Sequence, residues 1–132
     1  MNEPKYKAWL KQENIMVPVQ QIHFYDRTIS YIYDDYRNGE QNWLTEDFED
    51  VELMLYSELL DNKENEIFNG FIIAKEGHPN YYVAFEFGSF VCISTNKIQA
   101  NSWEHYLLKD MLAIGFVHVG NIFENKDLME VE

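Results

Sequence analysis

The chain has 132 residues, 46% apolar and 16% aromatic, enough to build a core without disulfides or metal. Its formal charge of −13 argues against nucleic-acid binding through a broad basic surface, because phosphate contacts need clustered Lys and Arg. One cysteine, Cys92, excludes an internal disulfide and points to a reducing, cytoplasmic setting. The first residues, Met1 to Lys7, lack the apolar stretch of a secretory signal, and no apolar run approaches the roughly 20 residues of a membrane span, so no membrane association is expected.

In chain order, Lys5 to Leu10 reads as a strand, Lys11 to Asn14 as a hairpin connection, and Ile15 to Tyr25 as a second strand. Pro18 has no N–H to donate, so it belongs on an edge or at a bulge. A tight turn at Asp26-Arg27 leads into Thr28 to Tyr36, with Ile29, Tyr31 and Tyr33 on one face. Residues 5 to 36 thus read as an antiparallel meander. Thr45-Glu46-Asp47-Phe48 resembles a helix N-cap with acids in the first turn, which predicts a short helix over Glu46 to Asp50. Val51 to Tyr56 alternates as a strand does, although Leu, Met and Glu also suit a helix.

Asp61 to Glu66 is a charged turn, and Ile67 to Lys75 a strand interrupted at Gly70, where a bulge or a close backbone approach is expected. Gly77 to Asn80 is a turn. Tyr81 to Phe87 and Phe90 to Thr95 flank Gly88-Ser89, read as a type II′ hairpin. One helix is predicted near 102–114: Asn101 caps it with Glu104 as capping-box partner, Trp103, Leu107, Met111 and Ile114 recur at helical spacing with Tyr106 and Leu108 widening the stripe, and Gly115 stops it. Phe116 to Phe123 is the last strand. The fold class is therefore α+β and predominantly antiparallel β. A small barrel or strongly bent sheet carries an N-terminal β-meander and one helix, in a single domain over 1–132. The junction near Arg37 to Thr45 can set off an N-terminal hairpin layer over 1–40.

Candidate chemistry is sparse. His23, His78, His105 and His118 show no metal spacing with each other or with Cys92. Cys92 lies mid-strand between Val91 and Ile93, as a buried, inert thiol does. No phosphate loop or nucleophile elbow is present, so no cofactor and no catalytic residue is assigned. The Tyr residues at 25, 31, 33, 36, 81 and 82 could stack bases, but the basic groove that accompanies such platforms is missing; core packing or a protein interface fits better. Between Asp34 and Glu66 stand twelve acids against Arg37 and Lys63. Within that run Glu46, Asp47, Glu49 and Asp50 form a candidate acidic interaction surface, though without the ligand order of a calcium loop.

Three stretches resemble the YopX-like phage and prophage proteins. The first is Lys5-Tyr6-Lys7-Ala8-Trp9. The second is Tyr56-Ser57-Glu58-Leu59-Leu60-Asp61 with Glu66-Ile67-Phe68-Asn69-Gly70-Phe71-Ile72. The third is Gly120-Asn121-Ile122-Phe123-Glu124-Asn125-Lys126-Asp127-Leu128. They fall in the family's order and span almost the whole chain. Two positions depart: Glu58 stands where the family turn has Gly, and Phe71 where an Asp follows Gly70. The resemblance implies a small, strand-rich cytoplasmic product of a phage in its bacterial host, possessing barrel character and self-association, with no catalytic residues to carry over. It makes Trp9, Gly70, Gly120 and Asn121 signature residues with structural tasks: Gly120 and Asn121 turn the chain after the last strand, and Leu128 pins the tail.

The leading functional expectation is a non-enzymatic interaction or self-assembling accessory protein, working as a homo-oligomer or on a protein partner through strand edges or aromatic faces. The alternative is an acidic mimic of nucleic acid that binds a host DNA-handling protein. A third reading, an enzyme with a pocket in the barrel, requires convergent polar groups there.

Overall fold

The computed structural model describes residues 4–35, 40–95 and 105–129. Among the described residues the class is α+β, with predominantly antiparallel strands in three sheets and one short helix. The chain divides into two compact units, Met1–Leu55 and Tyr56–Glu132.

In the first unit, β1 (Tyr6–Leu10) lies between β2 (Ile15–Pro18) and the first half of β6 (Val51–Leu60). Its central place explains why Ala8, Trp9 and Leu10 are all buried in succession. Pro18 sits at the end of the outer strand β2, where its missing N–H breaks no ladder. The expected single strand from Ile15 to Tyr25 divides there. Val19 N–H still donates to Tyr6 O at 3.0 Å, whereas Gln20 N–H donates to Ser30 O at 2.9 Å. The chain thus changes sheets between these two residues, and the meander over 5–36 is in fact a hairpin followed by a second sheet.

That second sheet runs β3 (Gln21–His23), β4 (Thr28–Asp35), β5 (Glu40–Asp47). Ile29 and Tyr31 point from β4 into a cluster with Ala8, Leu10, Val17 and Val51. The short helix expected over Glu46 to Asp50 is replaced by strand through Asp47 and one 3-10 turn, Phe48–Asp50. Two observations account for this. β5 pairs with β4 in unbroken register from Thr28↔Asp47 to Asp35↔Glu40. The Thr45 hydroxyl, expected to cap, lies 3.2 Å from Ser30 Oγ instead.

In the second unit the later half of β6 pairs with β7 (Glu66–Phe68) across a bulge. The predicted strand from Ile67 to Lys75 is two strands, because Gly70 at φ +89° turns the chain between β7 and β8 (Phe71–Ala74). A five-stranded sheet follows in the order β11 (Tyr106–Leu107), β10 (Ser89–Ser94), β9 (Tyr81–Glu86), β8, β12 (Val117–Asn121). The β9–β10 hairpin closes at Glu86↔Ser89. Its central residues are Phe87 and Gly88, at φ +52° and +79°, so the turn is type I′ over 87–88 rather than type II′ over Gly88-Ser89. This register sets Phe85 opposite Phe90, with ring centroids 4.7 Å apart; a one-residue slip would send them to opposite faces.

The helix, α1, spans only Leu108–Ala113. Its predicted start at Asn101 to Glu104 lies outside the described residues. Tyr106 and Leu107, expected to be helical, pair with Cys92 and Val91 as an edge strand. The buried face is therefore Leu108, Met111 and Leu112, while Leu107 and Ile114 of the predicted stripe are exposed. Gly115, at φ +111°, ends the helix in a Schellman motif. Phe116 N–H reaches Met111 O and Gly115 N–H reaches Leu112 O, both at 3.2 Å.

Candidate functional site

Glu46 and Asp47 close β5, and Glu49 and Asp50 lie in the turn beyond. The Glu46 carboxyl is held above its usual range, first by burial, then by the negative charges of Glu13 and Asp50; a hydrogen bond from Tyr31 partly opposes them. The Tyr31 phenol is raised in turn by burial and by Glu46 and Glu13. Glu13, Glu46, Asp47 and Asp50 therefore share one field. Glu49 offers its backbone carbonyl to Lys11 Nζ at 3.0 Å, and the same ammonium lies 3.5 Å from Glu52. The run of twelve acids is not a single display, since Asp61 is buried and fully engaged inside the second unit.

β5 is also the outer strand of its sheet. Trp43 on it is 56% exposed and Leu44 is exposed as well. In the β3–β4 turn Phe24 and Tyr25 stand in solvent. The Phe24 ring meets Phe48 edge-on at 6.3 Å, and Arg27 lies over Phe48 at 5.6 Å.

In the second unit Asp61 is 4% exposed. Its Oδ1 accepts from the backbone N–H groups of Lys63 and Asn65, each at 2.9 Å. Its Oδ2 accepts from Asn65 Nδ2 at 3.1 Å and from the backbone N–H of His118 at 2.9 Å. Burial alone would raise this carboxyl, but the hydrogen bonds, that from His118 foremost, hold it below the usual carboxylate range.

The C-terminal turn is a second knot. Asn121 Oδ1 accepts from Phe123 and Glu124 N–H at 2.9 and 2.8 Å, and its Nδ2 donates to Glu124 at 2.9 Å. Its own N–H donates to Asn125 Oδ1 at 3.0 Å. A Cβ on Gly120 would lie 2.4 Å from that same oxygen. Gly120 is thus required for space. Gly70 is required for its φ, and it ties two places together: its N–H donates to Val83 O at 2.7 Å and its carbonyl accepts from Ile122 at 2.9 Å. Asn80 Nδ2 donates to Leu128 O at 3.3 Å, which pins the tail. Trp9 is buried in β1.

The four histidines serve separate neighbours. His23 Nε2 lies 3.1 Å from Ser30 Oγ, His78 stacks near Phe116, His105 meets Glu86 at 3.4 Å, and His118 packs on Phe71. A bulge between His118 and Gly120 breaks the alternation expected along β12. Cys92 is fully buried, and burial pushes its thiol up to about 12. Among the described residues no three His, Cys, Asp or Glu gather as metal donors, and no helix is long and apolar enough to cross a membrane.

The family model for the YopX protein matches residues 5–130. The chain belongs to the YopX family. A solved structure, that of protein EF1440 from Enterococcus faecalis, superposes with a TM-score of 0.65 at 22% identity, covering 98% of this chain and 100% of that one; the likeness concerns the fold. No curated protein matches. Within the YopX pattern the two departures now have physical readings. Glu58 adopts φ +69°, a left-handed conformation in which the family's glycine carries no Cβ penalty. Phe71 is buried and stacks between Phe68 and His118, at 5.3 and 4.6 Å, so an apolar ring fills the place of the family's Asp. The carboxylate of Asp61 and the amide of Asn125 anchor these knots; in the sequence Asp61 opens a charged turn and Asn125 belongs to the family pattern, with neither anchoring role apparent. The signal in both is local: Asp61 accepts from N–H groups two and four residues after it, and Asn125 from the N–H four residues before it.

Proposed function

We propose that this YopX-family protein is a non-enzymatic, phage-encoded accessory protein of the host cytoplasm that works by protein contact, self-association included, through the outer strand β5. The observation that carries this reading is Trp43, 56% exposed on an eight-residue outer strand. An outer strand offers backbone N–H and C=O groups to a second chain, and natural edges are usually guarded by Pro, Lys or a bulge. β5 has neither Pro nor Lys, and its register with β4 is unbroken. Trp is also a residue on which binding energy concentrates. Size-exclusion chromatography with light scattering tests the reading: assembly rises with concentration and falls in Trp43→Lys. A wild-type chain that stays strictly monomeric at high concentration removes self-association.

A second reading is favoured by the crowding of Glu13, Asp47 and Asp50 around Glu46. Such a concentrated negative field suits a basic, DNA-handling host protein. Binding would then weaken steeply with salt and with charge reversal at Glu46, Asp47, Glu49 and Asp50. Salt-independent binding excludes this reading.

A further inference from the structure

The edge pairing that shortens the helix also builds a box of rings. Tyr106 pairs with Cys92 and Tyr81 with Ser94, so both tyrosines project from the same face of the β9–β10–β11 ladder. Their rings meet edge to face, with centroids 5.8 Å apart and planes at 87°. The Schellman turn brings Phe116 back beneath Met111, where it meets Tyr81 at 5.6 Å and 81°. His78 adds a fourth ring 5.5 Å from Phe116. These rings, with Met111 and Asp110, line a cavity of about 330 Å³.

We propose that this cavity binds an alkylammonium cation. Four aromatic rings line this one apolar space, and an ammonium carried on alkyl groups is attracted to aromatic π faces while its carbons fill apolar volume. Asp110 supplies one exposed carboxylate at the cavity wall. The nearby ammonium of the chain itself, Lys75, donates to the Ile114 carbonyl at 2.5 Å and does not line the cavity. The overall charge of −13 draws cations toward the surface. The inference stands independently of the β5 contact, which lies in the other unit.

The lysine ε-ammonium of a partner protein and a free quaternary amine share this chemistry, and titration of the full chain separates them. Choline, Nα-acetyl-lysine methylamide and its trimethylated form are added while the ring resonances of Tyr81 and Tyr106 are followed by NMR. Saturable shifts are expected, and 3,3-dimethylbutan-1-ol, the uncharged isostere of choline, should bind at least about ten-fold more weakly. Tyr106→Leu and Asp110→Asn should each weaken the cations by about three- to ten-fold. Asp110 is exposed, so its variant decides the matter if Tyr106→Leu alters the fold. A preference for the lysine compounds assigns the source to a protein side chain, and a preference for choline assigns a free amine. Equal binding of the uncharged isostere, or no saturable shift with any cation, overturns the proposal.

Discussion

Asp61 Oδ2 accepts a hydrogen bond from the backbone N–H of His118 at 2.9 Å, across 57 residues of chain. One carboxylate thereby holds the β6–β7 turn, through Lys63 and Asn65, against the last strand of the five-stranded sheet. Asp61→Ala leaves several N–H donors without their acceptor and should cost about 2–4 kcal/mol in urea unfolding. Asp61→Asn keeps one carbonyl oxygen and should cost less. Wild-type stability in Asp61→Ala would show that the turn and β12 hold together without it.

Acid titration should expose the same group. Its folded pKa lies below the ordinary value, so its contribution is fully present above the unfolded value of about 3.9 and is lost as pH falls through the lower folded one. Thermal melts of Asp61→Asn should therefore show a shallower loss of stability in that acid window than wild type.

Glu46 has the opposite sign. Its folded pKa is raised by burial and by Glu13 and Asp50, so its ionised form opposes folding and protonation relieves the strain. Glu46→Gln should stabilise the fold slightly at neutral pH and low salt, by no more than about 1 kcal/mol, read in a thermal melt. The gain should shrink with added salt and at acid pH.

Gly120 and Asn125 should behave as a coupled pair. Gly120→Val drives a side chain into Asn125, displaces the amide that caps Asn121, and should cost about 2–4 kcal/mol by denaturant unfolding. Asn125→Ala frees that space, so Gly120→Ala combined with Asn125→Ala should be less damaging than the sum of the two single changes. Strict additivity would mean that the close approach carries no energetic weight.

Phe87 is fully exposed and occupies the first central position of a type I′ turn at φ +52°. Its ring packs on nothing that could offset the left-handed backbone. Phe87→Asn, which suits that position, should stabilise by about 0.5–1 kcal/mol in a thermal melt. An unchanged or lowered melting temperature would show that the ring has a role in solution.

Much of the strand content was legible because it is written locally. Ile29 and Tyr31 alternate toward one core, Asp61 to Glu66 is turn chemistry, and Gly115 stops the helix as expected, whereas Gly70, expected to interrupt one strand, separates two. The acidic segment was legible as charge, but not the hydrogen bond that ties its Glu46 to Tyr31 on the neighbouring strand. The ring box is not legible in the sequence, since Tyr106 and Phe116 are distant from Tyr81, and His78 shows there only as a turn residue without metal spacing.

The sequence by itself determined the class, the family and several of the turns, because alternation and short polar connections act over a few residues. Tertiary structure decided which strands meet. The β-capable stretch around Pro18 divides because Tyr6 and Ser30 claim successive N–H groups. Tyr106 and Leu107 leave the helix because β10 offers them a ladder. A helical pattern and an edge-strand pattern are both compatible with those two residues, and backbone hydrogen bonding to a partner far along the chain selects between them.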